Sequence, residues 1–267
     1  MVFILLVIHT LLIFSVLGTS CSYSVADSQT SRTGVRRPRA RLWEDHIVYF
    51  VFTKSVMKED RVVIRRIMRE IETRTCMGFV EKHQKRSKQL YIKMFKTYNC
   101  GICQPFGLMC PLKNAGTVKT TYPLIRRASK GKIEQVKLVF KMPFCGRLTK
   151  ASRGLITHEL FHVLGVHHTQ LRPDRDHYIT VDRSAVRIEK MAQYFPKCET
   201  CNTYSLPYEC HSVMHYGYSD FARVPWWLSV FRPTMTSRHP SCHLTIDGGA
   251  VATETDWKMV NRVQECF

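Results

Sequence analysis

Residues 158–168 read His158-Glu159-Leu160-Phe161-His162-Val163-Leu164-Gly165-Val166-His167-His168, and the spacing of their imidazoles decides what this chain can be. His158 and His162 stand four residues apart, one helical turn, so on a helix both rings leave from the same face. Ile156, Leu160, Val163 and Leu164 recur at helical spacing around them, which predicts a helix over 152–164 with Gly165 placed to stop it. Past that stop, the reversed chain brings His168 back as a third ligand. His167 competes by proximity, but the Gly-x-x-His interval favours His168. Glu159 adjoins the first ligand, its carboxylate beside the same face and within reach of a proton on a water at the metal. Three protein ligands leave one tetrahedral position open, as in catalytic zinc, whereas structural zinc is closed by four. One Zn2+ per chain is therefore expected, held by His158, His162 and His168, with Glu159 as general base. Downstream, Ser212-Val213-Met214-His215-Tyr216 sets a methionine and a tyrosine in a Cys-flanked segment, and Met214 reads as an apolar floor under the three rings.

Outward from this centre, Ile47 to Phe52 is β-branched and aromatic, which predicts a buried strand. Val62, Val63, Ile67, Met68 and Ile71 recur at helical spacing behind it. Leu90 to Met94 and Val136 to Phe140 alternate apolar with polar residues, predicting two half-buried strands. Between them, Gln104 to Lys132 is punctuated by Pro and Gly and reads as a loop-rich insertion. The last third is irregular until Thr253-Glu254-Thr255-Asp256, a capping box that opens a helix through Val263.

The chain has 267 residues, 45% of them hydrophobic and 23% charged, so it is long enough for a core and unlike collagen-like, disordered or multi-span sequences. Val2 to Leu17 is almost purely apolar, followed by small residues, so 1–20 is expected to be a signal peptide. Residues 21–40 read as a short pro-segment or linker, and 41–267 as the folded domain. No later stretch approaches spanning length, so stable membrane insertion is not expected and the product is expected to be secreted. Eleven cysteines fit an oxidising compartment. Ten of them can form five bridges, although Cys100-x-x-Cys103 with Cys198-x-x-Cys201 also has the form of a four-thiolate zinc site. Lys and Arg number 40 against 21 Asp and Glu, a net charge of +19. Acidic glycans or acidic protein substrates are partners such a surface fits, and no nucleic acid is expected.

Read through Asp176, the run HELFHVLGVHHTQLRPDRD resembles the astacin family of metzincin zinc endopeptidases, whose motif is H-E-x-x-H-x-x-G-F-x-H-E-x-x-R-x-D-R-D. Arg172, Asp174, Arg175 and Asp176 carry the part that separates astacins from other metzincins, and Ser212 to Tyr216 matches the family's S-x-M-H-Y. Arg41-Leu42-Trp43, Ile47-Val48-Tyr49 and Thr253 to Cys266 resemble the domain's two ends. The resemblance implies an α+β, two-lobed fold. Its N-terminal lobe has a mixed, mainly parallel twisted sheet and long helices, its C-terminal lobe is irregular and disulfide-rich, and zinc lies in the cleft between. It also implies bridges from Cys76 to Cys266 and from Cys145 to Cys100 or Cys103, Met214 as the Met-turn, and Tyr216 as a switch tyrosine that stabilises the oxyanion. The function implied is a secreted zinc endopeptidase hydrolysing peptide bonds in extracellular proteins. A non-catalytic binding protein with structural zinc would need neither Glu159 nor Tyr216.

The chain also departs from the family pattern. Thr169 stands where the family has a Glu that meets the new amino terminus, and Glu209 replaces the usual Asp. The segment from Cys21 to Arg41 lacks the F-x-G-D latency motif, leaving Cys21 or Asp27 as candidates to cover the metal. Arg232 and Arg238 suggest a preference for acidic residues near the cut.

Overall fold

Strand β1 (Ile47–Phe52) is followed by helix α1 (Lys58–Arg74), and the helix packs where its sequence period puts the apolar stripe. Asp60, Ile64, Ile67, Met68 and Ile71 are buried, a run of three- and four-residue steps. Val62, expected on that stripe, is instead 55% exposed, because two residues from Ile64 amount to about 200° of helical turn. Each fully buried Ile or Met stabilises the packing by about 1.5–3 kcal/mol.

In this computed structural model the described residues are 42–82, 91–98, 135–142, 153–193, 197–199, 201–225, 228–245 and 248–266. The expected signal peptide (1–20) and pro-segment (21–40), Cys21 and Asp27, the Gln104 to Lys132 insertion, and Cys100, Cys103 and Cys145 lie outside them. The described residues all fall within one compact unit, 32–267.

Strands β2 (Gly78–Glu81), β3 (Tyr91–Tyr98) and β4 (Gln135–Met142) join β1 in a four-stranded sheet of order β2-β1-β3-β4, every pair parallel. Ile92 and Met94 are completely buried, as the alternation in β3 requires. Helix α2 (Arg153–Val163) is buried at Gly154, Ile156, Thr157 and from Glu159 to Val163. A helix covered on nearly every side is a central one, and its polar residues there must be justified by something other than solvent. A second pair of strands, β5 (Ile179–Val181) and β6 (Met235–Ser237), is antiparallel and sits in the irregular part of the chain. Helix α3 (Glu254–Val263) closes the unit, opened by the reciprocal Thr253–Asp256 capping box.

Among the described residues two apolar clusters result. The larger joins sheet and helices through Val48, Phe50, Ile64, Phe161, Met214 and Trp257. The smaller lies under the irregular segment and includes Ile179, Val186, Tyr208, Cys210, Met235 and Cys242. Three disulfides occur among the described residues: Cys76–Cys266, Cys198–Cys201 and Cys210–Cys242. Because Cys198 and Cys201 are bonded to each other, neither is a thiolate for the four-cysteine zinc site that their spacing left open.

Candidate metal centre

Helix α2 ends in a Schellman motif: the Val166 N–H donates to Phe161 O and the Gly165 N–H to His162 O. Gly165 takes the left-handed conformation this requires, with φ 87°. Two side chains complete the helix end: Trp43 Nε1 donates to Val163 O at 3.0 Å, and Gln264 Nε2 to Leu164 O at 2.7 Å. The chain turned back in this way delivers His168 onto the face that carries His158 and His162. One ligand atom from each of the three lies within 4.8 Å of the others, and among the described residues no other group of three His, Cys, Asp or Glu does so. His167 lies outside the trio, half-buried, with burial pushing its pKa down to about 4.

The hydrogen bonds around the rings fix their tautomers. His158 Nδ1 lies 2.6 Å from Val213 O and His162 Nδ1 lies 2.8 Å from Val166 O. A carbonyl oxygen only accepts, so both Nδ1 atoms carry the proton and both Nε2 atoms present a lone pair. Those lone pairs face His168 Nε2 at 3.2 Å and 3.1 Å. Zinc bonded to imidazoles at about 2.0–2.1 Å would set tetrahedral nitrogens about 3.3 Å apart, so the donor set fits that ion in both chemistry and spacing. Burial, and then the neighbouring imidazoles, push His162 and His168 well below the ordinary histidine range; burial likewise lowers His158 against the opposing Val213 bond. The rings are therefore neutral at pH 7, the form that binds metal.

The Met214 turn is built around the first ligand. His215 N donates to Ser212 O to close the turn, which leaves Val213 O aimed at His158. Met214 is completely buried, its N donating to Ser212 Oγ and its O accepting from Thr169 N. Asp256, from the first turn of α3, accepts from Val213 N at 3.0 Å and from Ser212 Oγ, so the helix cap also holds the turn. Thr169 Oγ1 donates to that same Ser212 hydroxyl at 3.0 Å, where the family pattern has a carboxylate. Tyr216 is half-buried, its ring centroid 4.4 Å from that of His168, and its N donates to the buried Gln170 Oε1. Glu159 is buried at 2% exposure.

Arg172 and Arg175 act as struts. Arg172 grips Asp174 through two bonds of 2.9 Å and also donates to Leu206 O and Pro207 O, fastening the turn after α2 to the segment that leads into Ser212. Arg175 donates to Gln170 O and Asp176 Oδ1. Arg232 and Arg238 are exposed and donate to Ser184 and to Asp176 O. Asp256, Gln170, Tyr208 and the carbonyls of Val213 and Val166 support the centre in roles that the sequence did not declare. Of these, Asp256 carried a signal as the fourth residue of the capping box, and Tyr208 as part of Tyr208-Glu209, which stands where the family usually has Tyr-Asp.

A parallel sheet backed by helices, with two imidazoles on one helix and the third returned by a glycine turn, defines the metzincin class of zinc peptidases. The model of the astacin peptidase family matches residues 35–107 and 145–265. The chain belongs to the astacin family. It is 25% identical over 228 residues to zinc metalloproteinase nas-14 of Caenorhabditis elegans, covering 85% of this chain and 38% of that one. It is 29% identical over 195 residues to bone morphogenetic protein 1 of Xenopus laevis, covering 72% of this chain and 23% of that one. The chain thus spans well under half the length of these relatives. Among solved structures, high choriolytic enzyme 1, a hatching enzyme zinc-protease from the medaka Oryzias latipes, shares the fold with a TM-score of 0.60 at 20% identity, over 85% of this chain and 95% of that one.

Proposed function

We propose that this protein is a zinc endopeptidase that cleaves proteins outside the cell, with His158, His162 and His168 as metal ligands and Glu159 as general base. The observation that carries this reading is the convergence of three neutral imidazoles, two of them with Nδ1 protons committed to backbone carbonyls. Relatives named as zinc metalloproteinase and zinc-protease support it. Zinc bound there supplies Lewis acidity and lowers the pKa of water toward about 7. Glu159, one residue from the first ligand and shielded from solvent, takes the proton of the attacking water and returns it to the departing amine. Tyr216, beside His168, donates its hydroxyl to the carbonyl oxygen as negative charge develops there. Met214 keeps the underside of the rings dry and fixed. Three disulfides and the apolar leader read from residues 1–20 support secretion. No helix among the described residues is long and apolar enough to cross a membrane.

The test is hydrolysis of gelatin by wild type and Glu159→Gln, each with and without a strong chelator, alongside zinc content. Loss of general-base catalysis predicts a fall of about 10²–10⁴-fold in rate with zinc still bound. Unaltered cleavage by the variant, or wild-type cleavage that survives removal of the metal, refutes the assignment.

A further inference from the structure

The segment that leaves Tyr216 and returns at β6 projects an apolar tip into solvent. Phe231 is 84% exposed, and Leu228 and Val230 beside it are also exposed. Single exposed apolar residues are ordinary, but three within four residues at one loop tip are not. The tip is also not slack. Leu228 N donates to Pro225 O, Phe231 N to Leu228 O and Arg232 N to Ser229 O, a succession of tight turns around the completely buried Ser229. Its base is pinned where Thr234 N and Oγ1 donate to Tyr218 O and where Arg223 N donates to Ala185 O. Ile188, 76% exposed, follows Arg187, whose N donates to Phe221 O at the entry to the same loop.

Within the loop's own sequence the charge has one sign, although Asp182 and Glu189 of the neighbouring segment lie nearby. From Phe221 to Thr245 the sequence holds Arg223, Arg232 and Arg238 and no Asp or Glu. Arg223 and Arg232 are exposed and flank the apolar residues; Arg232 Nη2 reaches Ser184, next to the exposed Arg183. A rigid apolar wedge with a cationic collar matches the outer layer of an anionic bilayer, where side chains such as Phe and Leu enter the acyl boundary and Arg meets phosphate and carboxylate headgroups. A protein interface would ordinarily set the apolar residues in a broader patch within a polar rim.

We propose that residues 228–232 form a membrane-contact tip through which the enzyme settles reversibly on anionic lipid surfaces. The contact is peripheral, it is weakened by salt, and it is independent of the metal centre. The full-length protein is sedimented with vesicles of phosphatidylcholine and with vesicles containing added phosphatidylserine, at low and high salt. Because the whole chain carries a net charge of +19, attraction to anionic vesicles alone decides nothing, and the apolar tip supplies the discriminating variants. Phe231→Asp and, separately, Val230→Asp are expected to lose about tenfold or more of the partition onto phosphatidylserine vesicles. Unchanged melting temperature and gelatin hydrolysis show that each variant is folded. Binding to neither vesicle, binding that does not distinguish the two lipids, or binding left intact in both variants overturns the proposal. So does concentration-dependent self-association abolished by Phe231→Asp, which would make the tip an interface between copies of this chain.

Discussion

His215 stands next to Tyr216, and its Nε2 lies 2.9 Å from the Tyr208 hydroxyl in a buried pair. Burial pulls the His215 pKa from 6.5 to about 4. On acidification the unfolded chain therefore takes up this proton first, and stability falls as pH drops from about 6.5 toward 4, by on the order of 3 kcal/mol for this one group. Urea midpoints measured with chelator at pH 7 and pH 5 should fall less in His215→Phe than in wild type; equal falls would remove His215 from the account. At this scale the three ligands were legible because imidazole chemistry, the helical period and the Gly-x-x-His interval all constrain the same positions. Their orienting partners were not, since Val213 and Val166 act through carbonyl oxygens that every residue owns. Gln170 likewise gives no sequence signal, because its task depends on where Tyr216 N arrives.

Helix α2 carries two ligands and is covered on nearly every side, which makes its spacing against neighbours the element's weak point. A Cβ on Gly154 would strike the backbone carbonyl of Ala250, an atom that cannot swing aside. Gly154→Ala is expected to destabilise the fold by about 1–3 kcal/mol despite alanine's better helix propensity. A thermal melt reads this directly, and a variant as stable as wild type would show that the 248–250 segment yields. From the sequence, α2 and α3 emerge nearly at their observed limits, since a glycine stop and a capping box mark their ends. For α1 the period identified the helix but not its full buried face: Val62 points outward, because a hydrophobic residue in a helix does not by itself declare which side meets the sheet. The short strands β5 and β6, three residues each, have too little alternation to be visible before folding.

Across the whole molecule the disulfides contribute unequally. Cys76–Cys266 closes a separation of 190 residues and ties the end of α1 to the chain after α3, whereas Cys198–Cys201 closes only three. On a loop-entropy basis the first restrains the unfolded chain by about 5 kcal/mol and the second by about 2 kcal/mol. Replacing Cys76 and Cys266 together by Ala should therefore lower the melting temperature further than the same treatment of Cys198 and Cys201, and the reverse order would contradict this ranking. The two-lobed division was foreseeable only through the family resemblance, because no local pattern states that Tyr208, Met235 and Cys242 gather into a cluster of their own. The ligand helix is finished from opposite ends of the domain, by the indole of Trp43 and the amide of Gln264, and the turn that aims His158 leans on Asp256. A nascent chain grown past residue 168 but short of 256 thus holds the three ligand imidazoles and Trp43 yet lacks Asp256 and Gln264, two of the braces that point them. The order of synthesis alone delays a fully braced metal site until the last part of the domain has emerged.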